Sequence, residues 1–374
     1  MIAVLAVISF ALGSGPVTQP SWPLWTRYVE HFVQRDGRVV DHDRDEVTTS
    51  EGQSYAMFFA LVANDPASFD LVYQWSATHL ANGNVARNLP AWSWGRRPDG
   101  TWGIKDSNSA SDADMWMAYD LIQAGRLWKR PDYTSAGEIL FKLIASKEVL
   151  QVHGSPVLLP GQTGFERDGT VVLNPSYMPL FLFQAAAQMQ PSGPWSALAA
   201  SLPWLLREGS IAGFAADWLE LTPEGTIRPI PAPDSGSPRA TGSYDAIRVY
   251  LWSGITSSGT PGRAAVLKEI SSMAAYMREH ALPPEIVTEG RPTPTGTGPI
   301  SYSAALIPFL QASEAPEAAA QQERRLNLAW SSRSGLYGEP PRYYDQNLSM
   351  FALGFMEHRY RIRNTGELEV SWQR

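Results

Sequence analysis

Apolar residues recur along most of the chain at the three-and-four spacing of α-helices, and this pattern predicts twelve of them. They fall at roughly 21–35, 50–63, 66–82, 111–128, 134–147, 177–190, 193–208, 243–257, 261–281, 300–312, 315–329 and 344–357. In the fourth, Met115, Ala118, Leu121, Ile122 and Gly125 share one face. Start signals accompany several of them. Ser50 to Gln53 fits a capping box, and Asp65-Pro66 reads as an N-cap followed by proline at the first helical position. Long connections rich in glycine and proline separate the helices at 83–110, 148–176, 209–242 and 282–299, and they carry strand-like runs such as "SPVLLP" and "GTVVL". None of them reads as a linker that would divide the chain, so 21–374 is expected to be one domain.

The even-numbered helices start alike, with "SEGQSYAM", "SASDADMW", "NPSYMPLF", "GSYDAIRV", "ISYSAALI" and "RYYDQNLS". The odd-numbered ones begin mostly with proline or capping residues and are amphipathic. Such alternation predicts an all-α ring of six pairs, with buried inner helices and outer helices that are polar on one side. Short turns within pairs would run all inner helices the same way and gather their N-termini at one end. A helical solenoid with chance similarities among its caps is the alternative.

Composition narrows the chemistry. The 374 residues carry a net charge of −7 with no basic block, which removes the electrostatic footprint of a nucleic-acid binder. Cysteine is absent, so thiolate chemistry and disulfides are excluded, and the six histidines show no metal-binding spacing. The 14 Trp and 14 Tyr are first of all large core side chains, and some of them suit a stacking surface for sugars. Residues 1–20, opening "MIAVLAVISFALGSG", are too short an apolar run to span a bilayer and fit the core of a signal peptide, although no positive residues precede it. A short buried segment is the other reading. With export, the protein is expected to be periplasmic or secreted and free of stable membrane insertion.

Three of the inner-helix starts carry acids, namely Glu51, the Asp112/Asp114 pair and Asp245. Each alone could be a plain capping residue, because helix N-termini favour carboxylates. Together, on one rim and among Tyr55, Tyr244, Trp116, Trp92, Trp94 and Trp102, they match the layout of a glycosidase. One acid protonates the leaving oxygen and the other activates water or attacks the sugar. An acid at a helix start must hold its proton against the helix dipole, so the site has to supply burial and a negative neighbour such as Asp112.

"SASDADMWMAYDLIQAGRLW" resembles the signature of glycoside hydrolase family 8. "TTSEGQSYAMFFALVAND", "LPAWSWG", "DSNSASDADMWMAYDL", "LNPSY", "GSYDAIRVYLW" and "GELEVSW" are similar, in order, to motifs of the family's endoglucanases associated with bacterial cellulose synthesis. The resemblance runs from Trp22 to Trp372. It implies an (α/α)6 barrel that cuts internal β-1,4-glucosidic bonds of cellulose with inversion and without a cofactor. It implies Glu51 as general acid, Asp245 as general base and Asp112 as the residue that grips the sugar, a position called a nucleophile in some members. Arg248 would steady the base or the sugar, and Tyr177 and Tyr302 would contact sugar or the attacking water. Trp92, Trp94, Trp102, Trp116 and Tyr244 complete the expected glucan-binding set. The implied partners are β-1,4-glucan chains and the cellulose synthase complex. Ala56 departs from the family's usual glycine after "SEGQSY". A non-catalytic glucan-binding accessory protein, or a relative acting on xylan, chitosan or mixed-linkage glucan, remains the alternative.

Overall fold

The computed structural model describes residues 22–373 except 234 and 292, and the apolar segment at 1–20 lies outside the described residues. All twelve predicted helices are present, and the ninth is split in two. The helices are α1 (Pro23–Phe32), α2 (Ser50–Val62), α3 (Pro66–His79), α4 (Ser111–Leu127), α5 (Pro131–Lys147), α6 (Leu180–Met189), α7 (Trp195–Gly209), α8 (Ala246–Ile255), α9 (Arg263–Glu269), α10 (Ser272–Glu279), α11 (Ile300–Ala312), α12 (Pro316–Leu328) and α13 (Tyr343–Met356). The break between α9 and α10 comes from a tertiary anchor. The Ser272 N–H donates to the Gly213 carbonyl and its Oγ donates to the Ala212 carbonyl at 2.8 Å, so the new helix start is tied to a neighbouring loop.

Inner and outer helices separate as the starts predicted. In α2 every residue but Glu51 is buried, in α4 every residue but Arg126, and α8 is buried throughout. The outer helix α12 buries only Ala318, Ala319, Gln322 and Leu326, a single stripe at helical spacing. Packing runs α2 to α4 to α6, then α8 to α11 to α13, and α13 returns to α2. The short helical turn Pro175–Tyr177 links α8 to the α6 side and closes an (α/α)6 barrel. Two glycines set how closely helices approach. A Cβ on Gly137 of α5 would lie 2.8 Å from the Ala118 carbonyl oxygen of α4, and one on Gly254 of α8 would lie 2.4 Å from the Phe309 nitrogen of α11.

Aromatic rings fill the centre of the ring of helices. Trp116 of α4 has its ring centre 5.1 Å from Phe58 and Phe351, 5.3 Å from Trp252, 5.5 Å from Phe181 and 5.9 Å from Tyr55. Each such contact adds roughly 0.5–1.5 kcal/mol beyond the area it buries. The long connections carry the expected strands. Thr48–Thr49, Ser93–Arg96 and Trp102–Asp106 form one antiparallel sheet. Glu166–Arg167, Thr170–Leu173, Trp218–Leu221 and Ile227–Ile230 form another.

Candidate active site

The helix starts gather at one end, as the repeated motifs predicted. Residues from the beginnings of α2, α4, α8 and α13, and from the turn before α6, line a single groove of about 370 Å³. Its walls include Glu51, Asp112, Asp245, Arg248, Trp92, Tyr177, Tyr244, Tyr343 and Tyr344.

Glu51 occupies the first turn of α2. The cap of this helix is Thr49, whose Oγ1 accepts from the Gly52 N–H at 3.1 Å, so the capping box expected at Ser50 and Gln53 does not form. Gln53 instead turns inward, accepts from the Val39 N–H at 2.6 Å and donates to Ser76 Oγ at 2.9 Å. The glycine beside Glu51 has a steric reason. A Cβ on Gly52 would stand 1.7 Å from the Tyr343 hydroxyl, so only glycine lets α13 bring its tyrosine to the groove.

Arg248, one turn into α8 and 4% exposed, joins the carboxylates. Its Nη1 pairs with Glu51 Oε2 at 2.9 Å, and its Nη2 donates to Asp245 Oδ1 at 3.0 Å and to Ser176 Oγ at 3.0 Å. Asp112 Oδ2 lies 3.8 Å from the same Nη2. One cation thus serves three acids. Burial, reinforced by Glu51 and only partly offset by Arg248, pushes the Asp112 carboxyl up to about 8. Burial also raises Asp245, to about 6, with Arg248 opposing and Asp217 assisting. Asp245 still shows 27% of its side chain to the groove, so a water can reach it. Behind Asp112 lie Asp114 and Glu148, both fully buried and both raised, chiefly by burial.

The aromatic residues divide. Trp92, Tyr177 and Tyr244 line the groove, and Tyr244 is 48% exposed. Trp116 does not face a sugar: it is 1% exposed in the barrel centre, because it lies one helical turn below Asp112. Tyr302 is also withdrawn. It is 2% exposed and meets Tyr244 edge-on at 5.5 Å, backing that ring without lining the groove. Trp94 and Trp102 stand outside the groove lining. They stack at 5.5 Å, with the Arg38 guanidinium 4.5 and 4.8 Å from their ring centres. Trp92 and Trp94 share the half-buried side of this segment, but Trp92 borders the groove while Trp94 packs with Trp102 and Arg38.

Sequence reasoning missed seven groove residues, Asp41, Arg44, Thr49, Ser50, Ala110, Tyr343 and Tyr344, and it missed Asp217, which accepts from the Asp245 N–H. The paired tyrosines were visible as a helix start. Asp41 and Arg44 sit in a charged loop that shows no periodicity. A second cavity of about 380 Å³, walled by Val157, Leu158, Leu173 and Leu205, contains one carboxylate, Glu224, and so lacks the paired acids of a glycosidase site.

Comparison with known proteins agrees with this geometry. The chain aligns over 375 residues, at 40% identity, with an endoglucanase of Xanthomonas axonopodis pv. citri, covering 100% of this chain and 95% of that protein. An endoglucanase of Salmonella typhi is 40% identical over 362 residues, 94% of this chain and 91% of its own. The crystal structure of an endo-1,4-D-glucanase from Vibrio fischeri ES114 superposes with a TM-score of 0.86 at 35% identity, covering 95% of this chain and 100% of that one. The family model of glycosyl hydrolases family 8 matches residues 2–358. The protein that built this barrel and its acid-lined rim therefore belongs to glycosyl hydrolases family 8.

Proposed function

We propose that this glycoside hydrolase is an endo-β-1,4-glucanase that cleaves internal bonds of cellulose with inversion. The observation that carries the reading is the placement of Glu51 and Asp245 on neighbouring nitrogens of one guanidinium, in an open groove walled by aromatic rings. The two bonded oxygens then lie no more than about 8 Å apart, which admits the roughly 6.5–9.5 Å carboxyl separation that leaves room for a water between acid and base. Endoglucanase relatives support the substrate class.

Glu51 donates its proton to the glycosidic oxygen as the bond to the anomeric carbon breaks. Asp245 takes a proton from the water attacking the opposite face. The two then return to their starting states by exchange with solvent. Burial raises the proton affinity of Asp112, and its Oδ2 has no hydrogen-bond partner within the described residues, so it is placed to bond a sugar hydroxyl beside the scissile bond. Tyr177, Tyr244 and Trp92 offer ring faces and edges to the glucosyl units. The apolar segment at 1–20 fits action in the periplasm or outside the cell, and the similarity of motifs fits a role beside a cellulose synthase complex.

The test compares viscosity loss with reducing-end release on carboxymethylcellulose, for wild type and Glu51→Gln. Internal cutting gives a steep fall in viscosity with few new ends, and the variant abolishes it while cellulose binding persists. Proton NMR of the first product fixes the anomer. Wild-type turnover in the variant, or a first product that keeps the β configuration, overturns the mechanism.

A further inference from the structure

Asp217 sits in the connection between α7 and α8, next to the strand Trp218–Leu221 and far in sequence from any acid of the groove. It is 4% exposed. Its Oδ1 accepts from the backbone N–H groups of Ser243 (2.8 Å), Asp245 (3.1 Å) and Ala246 (2.8 Å). Its Oδ2 accepts from Ser243 Oγ at 2.8 Å and Thr241 Oγ1 at 3.0 Å. All five partners donate, which is what an ionised carboxylate takes.

These bonds hold the backbone that leads into α8 and the first N–H of the helix itself. Asp245 stands at the N-cap position of α8, and the N–H groups of Ile247 and Arg248, which a capping side chain would take, already bond to the Ser243 and Asp245 carbonyls. Its side chain makes no capping bond, and its carboxylate points to Arg248 at 3.0 Å and to the groove. We propose that Asp217 is a positioning residue for the reaction, fixing the backbone on both sides of Asp245 and so holding the Asp245 carboxylate toward the groove to act as base. The inference rests on the assignment of Asp245 as base made above.

Asp217 acts on Asp245 by charge as well as by geometry. The groups that face Asp245 are Arg248 on its own helix, Asp217 and its loop, Glu51 of α2, Asp112 of α4, Asn174 and Tyr177 before α6, and Tyr344 of α13. Among them the Asp217 charge raises the proton affinity of Asp245, third in size after burial and the opposing Arg248. A purely structural role would hold α8 in place without tuning the base.

The experiment records kcat/KM against pH on a soluble β-1,4-glucan for wild type, Asp217→Asn, Asp217→Ala, Thr241→Val and Asp245→Asn. In Asp217→Asn the amide oxygen keeps the three backbone bonds while the two hydroxyls turn to accept. Turnover is then retained within about tenfold, and the acid limb moves down by about one pH unit as the negative neighbour is lost. Asp217→Ala leaves the N–H groups of Ser243, Asp245 and Ala246 unpaired and lets the backbone at Asp245 shift, so kcat falls at least a hundredfold with KM changed little. Thr241→Val withdraws one donor from the Asp217 carboxylate, leaves the fold intact and moves the acid limb upward. An acid limb that stays put in both Asp217→Asn and Thr241→Val overturns the proposal, as does full kcat in Asp217→Ala. Should Asp217→Asn fail to fold, the Thr241→Val shift decides alone. Failure of the underlying assignment looks different: Asp245→Asn then retains wild-type kcat/KM.

Discussion

Replacing Arg248 with methionine removes the cation shared by three carboxylates while keeping an apolar side chain of similar length. The guanidinium is 4% exposed and donates to Asp245 at 3.0 Å. At a charge separation of about 4 Å and an effective dielectric constant of about 20, the attraction is ~4 kcal/mol, equivalent to ~3 pK units. Asp245 keeps 27% of its side chain open to the groove, so water takes up part of that loss. About 2 units is the expected net rise. With Asp245 as base, the acid limb of kcat/KM is expected near 6 in the wild type and should move to about 8 in the variant. At pH 6 the ionised base falls from about half to about 1%, a loss of roughly fiftyfold, whereas at pH 9 this cause removes only a small part of the rate. The assay is initial rate on soluble glucan from pH 4.5 to 9.5, with circular dichroism at each pH to confirm the fold. A uniform drop with the acid limb still near 6 would refute the electrostatic argument and leave Arg248 only a substrate contact.

The two tryptophans separated by the structure should behave oppositely. Trp116→Ala costs ~3–5 kcal/mol of stability, seen as a lowered melting temperature, with KM unchanged in the folded enzyme. Trp92→Ala leaves melting nearly unaltered and raises KM by roughly two- to tenfold, as expected for ~0.5–1.5 kcal/mol of ring contact. The buried acids predict stability against pH. Glu148 and Asp112 are both raised to about 8, so the native state holds protons that the unfolded chain releases near pH 4. Their contribution is fully present below pH ~4 and is lost as pH rises through about 8, so calorimetry should show melting falling between those limits. Glu148→Gln should flatten that fall by ~2–4 kcal/mol, and an unchanged slope would show that the pair does not titrate in this range.

The barrel was legible in the chain because its logic is local. The inner helices are buried nearly all round whereas an outer helix such as α12 buries one stripe, and the difference survives in periodicity and in repeated starts such as Ser54-Tyr55 and Ser301-Tyr302. The three acids were legible for the same reason, since a carboxylate at the front of a wholly apolar helix is out of place in a core. Depth along a helix was not legible. Trp116 follows Asp112 by one turn on the same face, about 6 Å nearer the barrel centre, and that step separates the groove from the packed interior. Tyr302 was drawn in the same way, behind Tyr244. Which tryptophan of "LPAWSWG" borders the groove was set by tertiary placement, Trp92 at the groove and Trp94 stacked on Trp102. Asp217 carried no signal, because its partners are backbone N–H groups 26 to 29 residues further on.

The aromatic packing around Trp116 closes the bore of the barrel between Tyr55, Trp252 and Phe351. A polymer cannot thread this ring as a bead takes a string. It can only be laid into the rim from the side, and a side-loading groove asks nothing of chain termini. A strand held at both ends is as good a target as a free one. Strain held in such a doubly anchored strand can be released at a single cut, with no end for the enzyme to find first.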